Sequence, residues 1–115
     1  MSDLSKIYLA GPMTGIELFN YPQFHRVATA LREDGNEVVS PAETVLPNGT
    51  ICQLDPPTAD DARPHTDYLR EGLAKLLECD AIALLPGYAD SRGAMLELRV
   101  AEELGMTVIV LVGIE

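Results

Sequence analysis

The chain has 115 residues and a mass of 12.5 kDa, the size of one domain. Its 47% hydrophobic content is enough for a core, yet no stretch is long and apolar enough to span a bilayer. Eighteen acidic residues against eight basic ones give a net charge of −10. That sign excludes a general binder of DNA or RNA, and it opposes anionic membranes and, at long range, phosphorylated ligands.

Met1–Lys6 carries no cationic leader or small-residue cleavage site, so no secretory signal is expected. Cys52 and Cys79 are far apart in sequence and are expected to be reduced, in a cytoplasmic protein. With His25 and His65 they make no zinc pattern, so no metal is expected. Lys6–Ala10 reads as a first strand, ending in the glycine-bearing loop Gly11–Gly15. Asn20 then reads as an N-cap, with Pro22 in the first turn and Gln23 three residues on. Phe24, Val27, Ala28 and Leu31 follow at helical spacing, and Gly35-Asn36 closes the helix. Glu37–Ser40 is a brief strand stopped by Pro41.

From about residue 42 to 65 the periodicity fades, so this stretch is expected to be a long loop, either a lid or a mobile surface excursion. A second helix is predicted from about Thr66 to Glu78, with Leu69, Leu73, Leu76 and Leu77 on one face. Ala81–Leu85 is an unbroken apolar strand, as in a central parallel strand covered on both sides. The loop Pro86–Gly93 leads into a helix to Leu104 that buries Ala94, Leu98 and Ala101; Thr107–Val112 is the last strand. Helices between strands predict an α/β fold, a small flavodoxin-like or Rossmann-like three-layer sandwich. Its parallel four-stranded sheet would run in the order 2-1-3-4. The order reverses between the first and third of these strands, and a ligand crevice belongs outside their carboxyl ends. The two most glycine-rich loops lie there.

Gly11-Pro12-Met13-Thr14-Gly15 is neither a dinucleotide fingerprint nor a P-loop, so no cofactor is expected. Its first glycine reads either as room for a ring or sugar against the backbone, or as an ordinary tight turn. Ser91-Arg92-Gly93 opens a helix whose free N–H groups, with the Ser91 hydroxyl and the Arg92 guanidinium, can hold an anion. Glu97 lies about one turn along, between Leu96 and Leu98. A carboxylate at the edge of a buried helix face can act as nucleophile or general acid/base; the alternative is a solvated side chain or a partner of Arg92 or Arg99.

Tyr8–Gly15, Asn20, Phe24, Leu31, Gly35, Val38 and Pro41, then Cys79–Ile82, Leu84–Tyr88, Ser91–Ala94, Glu97 and Ala101, carry a specific resemblance. The chain resembles a small phage and bacterial branch, of DUF4406 type, of the nucleoside 2-deoxyribosyltransferase-like superfamily. The resemblance implies hydrolysis or transfer at the N-glycosidic bond of a 2′-deoxynucleoside or its 5′-monophosphate. It assigns the nucleophile to Glu97, a place beside sugar and nucleophile to Tyr8, and the 5′ end of a nucleotide to Ser91. Gly11, Pro12, Met13, Asn20, Gly87, Arg92 and Gly93 are expected to line the substrate, with Asp67 closing over the base. The partner is thus a small nucleoside or nucleotide, and a homo-oligomer is expected.

Two departures stand out. Related sequences carry an aspartate where this chain has Gly72, and helix geometry puts neither Asp67 nor Glu71 on the same face. The transferases also continue into a C-terminal part, completing a neighbour's site, that is not expected after Glu115. An N-glycosidic enzyme therefore competes with a nucleotide-binding or sensor protein that does no chemistry, and with an interaction protein whose acidic surface meets a basic partner.

Overall fold

The computed structural model describes residues 6–13, 16–55 and 65–111. Four parallel strands form the central sheet: β1 (Lys6–Ala10), β2 (Glu37–Val39), β5 (Ala81–Leu84) and β6 (Thr107–Val110). Their order is β2-β1-β5-β6, which is the expected 2-1-3-4 once two further strands are counted. Those are β3 (Glu43–Val45) and β4 (Ile51–Gln53), an antiparallel hairpin within the stretch expected to be a loop. The helices are α1 (Tyr21–Glu33), α2 (His65–Leu76) and α3 (Arg92–Glu103). Among the described residues no helix is long and apolar enough to cross a membrane.

Strand alternation splits the core in two. Ile7 and Leu9 of β1, with Ala81, Ala83 and Leu85, pack against Tyr21, Phe24, Val27 and Ala28 of α1. Tyr8 and Ala10, with Ile82 and Leu84, face Leu76 of α2 and Ala94 and Ala101 of α3. α2 ends a residue short of Leu77, which is 61% exposed rather than buried as its spacing predicted. Helices α1 and α3 both end in a left-handed glycine, Gly35 (φ +96°) and Gly105 (φ +73°). In each, the next N–H reaches back to the third-last helical carbonyl, from Asn36 to Leu31 and from Met106 to Ala101.

The hairpin turns at Pro47-Asn48-Gly49, where Gly49 takes φ +88° and Leu46 N–H bonds Thr50 O at 2.8 Å. It is held to the domain by a bidentate ion pair. Arg32 of α1 donates to both oxygens of Glu43 (2.6 and 2.8 Å) and to Val38 O (2.8 Å). Lys75 of α2 adds a bond to Glu43 O at 3.3 Å.

Candidate functional site

On the inner face of α3, Ala94, Glu97 and Ala101 share one stripe. The two alanines let the helix lie close to the sheet, and that closeness buries Glu97 to 8% exposure. Tyr8, the middle residue of β1, points to the same side and donates its hydroxyl to Glu97 Oε2 at 2.6 Å. Burial pushes the Glu97 carboxyl up from 4.5 to about 7, and the Tyr8 bond pulls it partly back. Burial first, and the neighbouring Glu97 second, hold the Tyr8 hydroxyl well above its ordinary value, so it stays a donor. The other Glu97 oxygen takes no hydrogen bond among the described residues.

Gly72 of α2 forms the third wall. A Cβ there would collide with Glu97 Oε2 and stand 2.8 Å from the Tyr8 hydroxyl. The glycine in the place of the expected aspartate is thus what lets Glu97 and Tyr8 meet under α2. Its significance could not be read from sequence, because its neighbours come from residues 64 and 25 positions away.

The two glycine-rich loops also meet. Gly87 is left-handed (φ +86°), and a Cβ on it would lie 3.3 Å from Pro12 Cγ. Asn20 ties the first of them to α1 by donating to Pro12 O at 3.0 Å and to Gln23 Oε1 at 2.9 Å. It is not the expected N-cap: its side chain accepts no helix N–H, and it closes a run of three left-handed residues, Leu18, Phe19 and Asn20. Such backbone is costly for side-chain-bearing residues and needs surrounding contacts to hold it.

Other expected site residues sit differently. The open side of Gly11 faces Leu85, whose Cβ would be 2.7 Å from a Cβ there, so the close approach is to β5's end rather than to a ring or sugar. Met13 packs against the α1-side core. Ser91 caps α3 by accepting the Ala94 N–H at 3.1 Å, so one donor expected to be free for an anion is already used. Arg92 and Asp67 are exposed at the starts of α3 and α2, Gly87 is exposed in its loop, and Gly93 is half-buried in the first turn of α3. Thr14, Gly15 and residues 56–64 lie outside the described residues. Asp80 accepts from Lys6 N at 3.3 Å, and Cys79 is a buried thiol pushed up to about 11 chiefly by burial.

Sequence reasoning passed over Glu43 and Arg32 altogether. A glutamate after Ser-Pro-Ala, eleven residues beyond an arginine on the helix, carries no local signal of pairing.

A parallel sheet reversing between β1 and β5, with a tyrosine–glutamate pair on one side of it, gives the chain a Rossmann-like architecture. More particularly, residues 5–110 match the family model described as Domain of unknown function (DUF4406), and the chain belongs to that family. A solved 2-deoxyribosyltransferase from the psychrotolerant bacterium Bacillus psychrosaccharolyticus is similar to this chain, at 25% identity and a TM-score of 0.61. The match covers 92% of this chain and 71% of that one. No curated protein matches it.

Proposed function

We propose that this chain cleaves or transfers at the N-glycosidic bond of a 2′-deoxynucleoside or its 5′-monophosphate, with Glu97 as nucleophile. The observation that carries the reading is the buried Tyr8–Glu97 pair between the sheet and α3. The likeness to a 2-deoxyribosyltransferase supports it. Rupture of the bond at C1′ builds positive charge on the sugar, and a carboxylate below the ring stabilises that charge. The free oxygen of Glu97 attacks C1′, and water or a second base then resolves the deoxyribosyl ester. Tyr8 fixes the other oxygen, so the carboxylate enters the reaction in one orientation. Ser91 and Arg92, at the start of α3, would receive the 5′ end. Surface depressions lie along α1, one lined by His25, Arg26, Thr29 and Gln53 and one by Leu18, Asn20, Gln23 and Arg26, and neither reaches Tyr8 or Glu97.

Release of free base from a panel of deoxynucleosides and their 5′-monophosphates tests this. Wild type should release base, and Glu97→Gln should be slower by at least about 10³-fold. Equal rates would remove Glu97 from the nucleophile's role. Binding of a nucleotide with no release on any substrate would favour a sensor, the reading that Gly72 in the place of an acid speaks for.

A further inference from the structure

The proposed reaction leaves open how the departing base is stabilised, and the site's own charges bear on that; the inference rests on the reading above. Among the described residues no cation pairs with Glu97. The ion pairs are Lys6 with Glu37 and Glu78, and Arg32 with Glu43. Among the described residues the only side chain that relieves the Glu97 carboxylate is an uncharged phenol. A buried carboxylate in that condition is stabilised by whatever positive charge a ligand brings.

Among the described residues the wall over the pair also lacks an acid. Gly72 faces Glu97 and Tyr8, and the neighbouring acids of α2, Asp67 and Glu71, are exposed. The Tyr8 hydroxyl is spent on Glu97. A neutral purine or pyrimidine leaves as an anion unless it receives a proton, and general acids contribute about 10²–10⁴-fold to such departures. A base that already carries a positive charge needs none.

We propose that this site takes N-glycosides whose base is cationic, such as a deoxyriboside of an N7-alkylated purine, so that the base leaves neutral without an acid. The Glu97 oxygen forms its bond to C1′ while the C1′–N bond breaks, and the electron pair of that bond goes to the ring nitrogen and cancels its charge. Water then attacks C1′ of the ester. The Glu97 carboxylate is regenerated, the sugar leaves with a hydroxyl at C1′, and one proton passes to solvent. The net charge of −10 draws cationic substrates in rather than repelling them.

The test compares the 2′-deoxyribosides of 7-methylguanine and guanine, with each enzymatic rate divided by the spontaneous rate at the same pH. That division removes the greater intrinsic lability of the methylated compound. The acceleration should be at least about 10²-fold larger for 7-methylguanine. Equal or greater acceleration of the guanine compound would overturn the preference for a cationic base and leave the proposed N-glycosidic function standing. No acceleration of either compound, nor of the neutral panel above, would overturn both.

Discussion

Glu43 and Glu97 are buried to nearly the same degree, at 5% and 8% exposure, in two regions of this small domain. Their surroundings differ in kind. Glu43 meets a bidentate guanidinium, and the pair ties a hairpin to α1 and the end of β2. Glu97 meets one phenol and a glycine and, among the described residues, has no cation to answer it. The first arrangement is complete as it stands, as a structural ion pair should be. The second is left electrostatically unfinished, which a fold tolerates where a ligand or a transition state completes it. Burial alone therefore does not mark a functional acid; the missing counter-charge does.

Removing the partner of the satisfied acid should have the largest effect on stability. Arg32→Met strands the Glu43 carboxylate in the interior, and urea unfolding should show a loss of about 3–5 kcal/mol with base release by the folded fraction unaltered. The same substitution made at each glutamate should then give opposite signs. Glu43→Gln breaks a charge-assisted pair and should cost about 1.5–3 kcal/mol. Glu97→Gln should stabilise, and only at higher pH. Below pH 4.5 Glu97 is protonated in folded and unfolded chains alike. Between 4.5 and about 7 the unfolded chain releases that proton while the folded chain keeps it, so wild type loses stability as pH rises. Above pH 7 the full cost, about 3 kcal/mol, is in place, and the glutamine variant is free of it. A difference curve that is flat across this range would break the contrast between the two acids. Base release, which needs the carboxylate, should rise through the same pH 7 region.

Tyr8→Phe comes next in size. It removes one buried hydrogen bond and should cost about 1 kcal/mol. Without that donor the Glu97 carboxyl rises further, so the pH at which activity appears should move to the alkaline side of the wild-type profile. An unmoved profile with reduced stability would make Tyr8 a packing residue only.

The sheet and its crevice were legible because they are written locally. The unbroken Ala81–Leu85 run and the helical spacing after Pro22 declare a covered strand and a half-buried helix without reference to the rest of the chain. Ser91 and Glu97 drew notice by residue type at the start of α3 and a turn along it, and Tyr8 through the family resemblance alone. The hairpin was missed because Pro41 and Pro47 read as breakers, although Pro47-Asn48-Gly49 between Thr-Val and Ile-Cys is turn chemistry flanked by short β-prone runs. Asn20 misled for a related reason. It is a good N-cap residue, but a tertiary bond to Pro12 O drew its side chain away and its backbone into the left-handed region. Gly11 read either as room for a ligand or as an ordinary tight turn, and the requirement comes from Leu85, which only the β1–β5 pairing brings near.

Gly72→Ala should change stability least and yet separate the two halves of the argument most cleanly. An alanine inside α2 gains about 1 kcal/mol of helix propensity over glycine. Its Cβ, however, would overlap the Glu97 carboxylate and crowd the Tyr8 hydroxyl. The Tyr8 hydroxyl, at the far end of its side chain, has to give by a few tenths of an ångström. The carboxylate is the far end of a flexible side chain and can swing aside, at the expense of the Tyr8 bond, worth about 1 kcal/mol. The two changes nearly cancel, so unfolding should shift by less than about 1 kcal/mol in either direction. Base release should nevertheless fall by about 10-fold or more, because the nucleophile has lost its fixed orientation. A loss of several kcal/mol would instead mean that Glu97 is locked in place by its packing, and that the glycine serves the fit of α2 against α3 before it serves the chemistry.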